Sequence, residues 1–161
     1  MLWLRASLLS LCIASCGFKP VHNIANIEQN LPSIYIEDIK TSEGYLLKNK
    51  LEDKLLTDQK NLLKKYSLKV HLNKSSNPLT IQKNNFVTYY NVTMSGFYEL
   101  KSLQTDEIIY HSSFHNISSY SATNAEFANY VFEEDAIKNN IEQVSEYILI
   151  DLNRYFISNP I

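Results

Sequence analysis

The sequence predicts an α+β domain: a mostly antiparallel sheet of about four strands with two helices packed on one face, in the order β-α-β-β-β-α. Three observations predict it. The apolar spacing is helical up to about residue 60, switches to a period of two at Tyr66, and returns to three and four after Thr123. The alternating stretch is cut by short turn signals into three consecutive strands, which describes an antiparallel meander. Each helical stretch carries a single apolar stripe, and one sheet face suffices to bury both.

Residues 17–32 read as a tether, with Pro20 and Pro32 and no sustained periodicity. Ser33 to Ile39 is a short strand with Ile34 and Ile36 on one face. A helix follows from about Ser42 to Lys60, extendable to Lys65. Leu47, Leu51 and Leu55 form its stripe, widened by Leu46, Leu56, Leu62 and Leu63, while Lys48, Glu52, Lys54 and Asp58 face water. Tyr66, Leu68, Val70 and Leu72 then alternate with Ser67, Lys69, His71 and Asn73, the pattern of a half-buried strand. Asn73 to Pro78 reads as a turn, because proline is barred from a central strand.

A second strand is expected from Leu79, bulged at Lys83-Asn84-Asn85. It continues with Tyr90, Val92, Met94, Gly96, Tyr98 and Leu100 on one face and Asn91, Thr93, Ser95, Glu99 and Lys101 mostly on the other. After a turn at Gln104-Thr105-Asp106, Ile108, Tyr110 and Phe114 alternate with His111, Ser113 and His115. Thr123 with Glu126 has the spacing of a capping box. The last helix then begins its apolar face at Phe127 and Val131 and continues through Ile137, Ile141, Val144, Ile148, Leu152 and Tyr155 to a stop at Pro160.

The chain begins Met-Leu-Trp-Leu-Arg, followed by an apolar run from Leu8 to Ala14, the order of a secretory signal. That run is too short for the roughly 20 apolar residues of a membrane span. Ile13-Ala14-Ser15-Cys16 resembles the lipobox of bacterial lipoproteins, in which the cysteine receives the lipid. Residues 1–15 are then a signal peptide, residues 16–32 a lipidated N-terminus and tether, and residues 33–161 one domain. The other cysteine, Cys12, leaves with the signal, so the mature chain has no thiol for a disulfide, zinc site or nucleophile. Stable anchoring takes two or more acyl chains. Gly17 after the cysteine, by resemblance to the sorting rule of enteric bacteria, permits transfer to the outer membrane.

Cleavage removes Arg5 and no acid, so the formal charge moves from −2 to −3 over 146 residues. A mildly acidic chain without a basic run is not built for nucleic acid. The abundance of Asn, Lys, Ile and Tyr reflects an AT-rich genome and says little of function.

Catalytic motifs are absent. Three glycines make no phosphate-cradling loop, and there is no G-x-S-x-G elbow. His111 and His115 lie on a strand, roughly 13 Å apart, too far to share a metal, and read as sheet-face histidines. Glu133-Glu134-Asp135 sits on a helix as a solvated run. No cofactor or metal is implied. The polar sheet face, with Asn91, Thr93, Ser95, His111, Ser113 and His115, meets either water or a partner. Tyr89, Tyr90, Tyr98, Tyr110, Tyr120 and Tyr130 have the amphipathic character of interface residues.

Several motifs, with the order of elements, resemble the LPS-assembly lipoprotein family LptE in its alphaproteobacterial form. They are Cys16-Gly17-Phe18-Lys19-Pro20-Val21, the Ile34/Ile36/Ile39 strand, Tyr66-Ser67-Leu68-Lys69-Val70, Tyr98-Glu99-Leu100, Ser119-Tyr120, Tyr130 and Asp135-Ala136. The chain departs from that pattern at Ile137-Lys138-Asn139-Asn140, where relatives carry Ala and Arg. The resemblance spans nearly the whole chain and implies a non-enzymatic subunit of the lipopolysaccharide translocon. Such a subunit is lipid-anchored at the periplasmic face of the outer membrane, plugs and helps assemble the LptD β-barrel, and contacts lipopolysaccharide. On that reading the polar face and the tyrosines are barrel-facing. Phosphate contact calls for cations, and the sheet end with Lys74 and Lys83, together with Lys69, is the place expected to supply them if these are not simply solubilising lysines. The alternatives are an accessory periplasm-facing lipoprotein of another outer-membrane assembly or transport complex, and a small lipoprotein hydrolase, for which no nucleophile–base set is visible.

Overall fold

The computed structural model describes residues 31, 33–55, 63–81 and 87–159. The alternation from Tyr66 onward builds three long strands, β2 (Tyr66–Ile81), β3 (Val87–Ser102) and β4 (Ile108–Ser121). A short β1 (Ile34–Ile36) completes a sheet in the order β1-β2-β3-β4. β1 runs parallel to β2, with Ile34 opposite Tyr66, and the other two pairings are antiparallel. The parallel pair needs a crossover, and helix α1 (Ser42–Leu55) supplies it. Helix α2 (Glu126–Ser158) follows β4. The order β-α-β-β-β-α and the mostly antiparallel sheet are those the sequence predicts.

Register explains the core. Leu68 sits opposite Leu100, Val70 opposite Tyr98, and Tyr98 opposite Ser112, so the even-numbered residues of all three long strands share one face. Both helices bury their stripes in this core: Leu47, Leu51 and Leu55 from α1, and Ile137, Ile141, Val144, Ile148 and Leu152 from α2. Ion pairs from Lys50 and Lys54 to Glu142, at 2.8 and 2.7 Å, link the two helices at their rim.

Four expectations are corrected. Asn73–Pro78 is not a turn: β2 continues through it to Ile81. Beyond Leu68, β2 has no partner on its β1 side among the described residues, so Pro78 lies on an edge, where the lost donor is tolerated, and the register shifts directly after it. The expected bulge at 83–85 lies outside the described residues. β4 runs past His115 to Ser121, with Asn116 and Ser118 as polar residues at helix-facing positions. Thr123 does not cap α2. The N-cap is Ala125, without a side-chain bond, and Thr123 instead pairs with Asn129, whose Oδ1 accepts from the Thr123 amide at 2.7 Å. Finally, Phe127 and Val131 are exposed, and the buried stripe of α2 begins at Ala136 and Ile137.

Helix α1 ends at Leu55 within the described residues. Residues 63–65 are non-helical and Leu63 is exposed, so the helix does not reach Lys65.

Candidate interaction surface

The two sheet faces have opposite characters. On the covered face, buried polar groups are paired into the packing. Asp151 of α2 accepts hydrogen bonds from the Tyr98 and Tyr110 hydroxyls, the latter at 2.8 Å, with Arg154 3.7 Å away. Burial alone would raise the Asp151 carboxyl, but these hydrogen bonds, one from Ser112 and the Arg154 charge outweigh it and hold the group below its ordinary value. Burial, then the bond to Asp151, pushes the Tyr98 phenol well up. One turn of helix further toward the N-terminus than Val144, the fully buried Asn140 donates to the Val92 carbonyl at 2.8 Å and accepts from Asn116 at 2.8 Å. Each device fixes where α2 sits along the sheet.

The other face has no layer over it among the described elements. Register places Asn91, Thr93, Ser95, Phe97 and Glu99 of β3 beside Ser119, Ile117, His115, Ser113 and His111 of β4, and beside Asn77 to Lys69 of β2. Asn91, Thr93, Ser95, His111, Ser113 and His115 thus lie together, as the alternation implies. Phe97 is the residue that a sequence reading misses. It is 46% exposed in the middle of this face and stacks on His71, with ring centroids 4.4 Å apart. Its signal was present, since it continues the odd-numbered series Asn91, Thr93, Ser95. Ser119 donates to Asn91 at 2.7 Å across the same face.

Formal charge gathers at one end of this surface. Glu37, Lys69, Glu99, Lys101 and Asp106 line a cavity of about 270 Å³, where Lys101 pairs with Asp106 at 2.6 Å. A larger cavity, about 500 Å³, lies between residues 37–41 and the Lys69–Leu72 stretch of β2.

The lysines do not form one group. Lys69 is exposed on the open face, whereas Lys74, five residues along the same strand, faces the helix side and pairs with Glu43 at 2.7 Å. That bond raises the Lys74 ammonium above its ordinary value. Lys83 and Cys16 lie outside the described residues. The tyrosines divide as well. Tyr98 is buried, Tyr110 is half-buried against Tyr155, and Tyr90 stacks on Tyr120 at 5.4 Å, all on the covered face. Only Tyr89 and Tyr130 of the six are strongly exposed. Packing therefore accounts for most of the tyrosines read as interface residues.

Among the described residues there is no group of three His, Cys, Asp or Glu placed to hold a metal ion, and no helix long and apolar enough to cross a membrane.

A one-sided sheet under two helices defines a fold class that solved structures share. A candidate lipoprotein from Caulobacter crescentus CB15 matches with a TM-score of 0.66 and 19% identity, over 83% of this chain and 98% of its own. Rare lipoprotein B from Shewanella oneidensis matches at 0.58 and 13%, over 78% and 96%. A minor lipoprotein from Acinetobacter baumannii matches at 0.58 and 16%, over 76% and 90%. At these identities the likeness is one of fold. No protein-family profile matches the chain. The chain belongs to the same family as the uncharacterized protein RP188 of Rickettsia prowazekii (strain Madrid E), with 30% identity over 153 residues, covering 93% of this chain and 96% of that protein.

Proposed function

We propose that the protein is an outer-membrane lipoprotein, held at the periplasmic face by an acylated Cys16, that serves as a non-catalytic subunit of the lipopolysaccharide translocon. In this role it plugs and helps assemble an LptD-type β-barrel and contacts lipopolysaccharide on its way to the outer leaflet. The observation that carries the reading is the open face. It is a long sheet surface with no layer over it among the described residues, uncharged through its middle, with the Phe97–His71 stack at its centre. An aromatic group amid hydroxyls, amides and imidazoles suits a partner's polar wall better than it suits water alone. The lipobox at Ile13–Cys16, the LptE-like motifs and the fold held in common with solved lipoproteins point the same way.

Lipopolysaccharide phosphates would meet Lys69 on this face. Lys74, already paired with Glu43, is less available, so a charge reversal of Lys74 and Lys83 that left lipopolysaccharide binding intact would remove those two from the site.

The test is affinity capture of the tagged full chain from detergent-solubilised membranes, with mass spectrometry of the partners and of the N-terminus. A stoichiometric large LptD-type barrel with acylated Cys16 is the expected result. A different membrane complex would favour an accessory lipoprotein of another assembly or transport machine. Acylated Cys16 with no barrel would keep the anchor and overturn the function. An unmodified N-terminus beginning at Met1 would remove both.

A further inference from the structure

The two long edges of the sheet are finished differently. On one side, β1 covers the first three residues of β2, and the rest of that edge carries Lys69, Lys74 and Pro78 with a register shift. Lysine, proline and bulges are devices that keep an edge from pairing with another chain. On the other side, β4 pairs with β3 alone among the described residues. Its one irregularity lies near its start, between Ile108 and Tyr110. From Tyr110 to Ser121 the register is unbroken, and that stretch, YHSSFHNISSYS, includes no Lys, Arg, Asp, Glu or Pro. An edge of this kind offers free backbone donors and acceptors to an incoming strand.

Helix α2 overhangs the same edge. Phe132, Ala136, Asn139 and Gln143 face Ile117–Ser121 across a groove of about 570 Å³, which a smaller groove beside Val144 and Tyr147 continues toward Ser113. The side of the helix above the groove leaves Phe132 40%, Tyr147 48% and Ile150 41% exposed. Most charges near it are engaged elsewhere. Glu142 and Glu146 turn to α1, where Lys50 and Lys54 pair with them, and Arg154 pairs with Asp151. Asp135 and, close to Tyr120, Glu133 stand at the outer end of the groove. Unpaired edge, groove and bare helix side together have the shape of a sheet that lacks a fifth strand.

We infer that β4 is a strand-acceptor edge, on which an extended segment of the barrel partner adds as a fifth strand. The segment lies along Tyr110–Ser121, bonds its backbone to the outer edge, and turns every second side chain toward α2, under Phe132, Tyr147 and Ile150. The groove fixes its chemistry: uncharged, with apolar side chains at alternate positions, and a Lys or Arg only at the end beside Asp135 and Glu133. A charge elsewhere along it would lose water without gaining a counter-ion. The donor is a loop or terminal segment of the barrel protein, since a closed barrel wall has no free edge of its own. His111, Ser113, His115 and Ile117 belong both to the edge strand and to the open face, so this edge continues the surface proposed to meet the barrel. One copy of the chain then plugs one barrel, with its open face and its β4 edge both engaged. For the identity of the donor this rests on the translocon reading.

The test is hydrogen exchange on the full-length lipoprotein, alone in detergent and within the barrel complex captured through its tag. Read residue by residue, alternate amides between Tyr110 and Ser121 should slow by about tenfold or more, and only in the complex. The amides of β2 from Val70 to Asn77, on the opposite edge, are the control and should not follow that pattern. Tyr147→Glu with Ile150→Glu, two exposed sites whose fold a thermal melt verifies, should lose the β4 protection or the barrel itself. A captured barrel with β4 amides unchanged, or with both edges slowed alike, overturns the inference and leaves the translocon reading standing. Protection that survives the double substitution also overturns it. So does alternate protection already present in the protein alone, because a second copy or the chain's own N-terminus then fills the position. If no barrel is captured, the translocon reading falls and the inference with it.

Discussion

The covered and open faces of the sheet are built from the same three strands, one residue out of phase, yet they obey different rules. On the covered face the buried polar groups of α2 described above have partners: Asp151 has two tyrosine hydroxyls, and Asn140 has the Val92 carbonyl and Asn116. A buried polar atom without a partner would be costly there. On the open face, His71, His111, His115 and a string of Ser, Thr and Asn stand exposed or half-exposed, because water satisfies them until something else does. The covered face specifies the fold, and the open face is not held to its packing. Mutations should separate the two.

The largest expected effects lie on the covered face. Ile148→Ala or Leu152→Ala, each at a fully buried site on α2, should lower stability by about 2–5 kcal/mol in chemical denaturation. Gly96→Ala belongs in the same range by a different route. A Cβ there would lie 1.9 Å from the His71 carbonyl oxygen and 2.9 Å from Phe114 Cζ, so the β2–β3 backbone itself would have to shift. Next comes the polar pinning of α2. Tyr98→Phe leaves Asp151 with one donor fewer and should cost about 1–3 kcal/mol, without opening a cavity.

The same carboxylate sets a pH signature. Burial opposes its ionisation, but the hydrogen bonds prevail and its folded pKa is depressed. Its contribution is therefore fully present above the ordinary aspartate pKa, about 3.9, and is lost as pH falls through the lower folded value. Denaturant midpoints measured from pH 6 down to 2 should fall more steeply in the native protein than in Asp151→Asn. The smallest effect on stability belongs to Phe97→Ala on the open face, within about 0.5–1 kcal/mol, for loss of its stack on an exposed imidazole. That variant should nevertheless reduce barrel capture from membranes. A large loss of stability instead would make Phe97 a folding residue.

How much of this was legible follows from which physical signal each element carries. The switch from a period of four to a period of two at Tyr66 is enough to place α1, the first half of β2 and the Tyr90–Leu100 stretch of β3, while Leu79, expected to open the second strand, still belongs to β2; the stripe from Ile137 to Leu152 is enough to place α2. The polar residues of the open face follow from alternation alone. Legibility ended where tertiary context overrides local chemistry. Asn73–Pro78 has the composition of a turn and is a strand, paired with β3 on one side and with no strand on its outer side among the described residues. Asn116 breaks the apolar alternation of β4 because its amide is met by Asn140 and Gln143 from a helix some 25 residues later, which no local window contains. Phe127 and Val131 fit the helical period and remain exposed, because periodicity shows which side of a helix is apolar but not where along it the sheet begins. The tyrosines misled for the opposite reason: an amphipathic side chain suits an interface and a buried carboxylate equally, and Asp151 took two of them.

The central claim is that the open face meets the wall of an outer-membrane barrel. A photo-crosslinking amino acid placed at Phe97 in the full-length protein, activated in living cells, tests it most directly. The account predicts an adduct with a large β-barrel protein from Phe97, formed in preference to any from the exposed face of α2 at Lys138. An adduct from Lys138 alone, or a Phe97 site that reacts only with water, would contradict it.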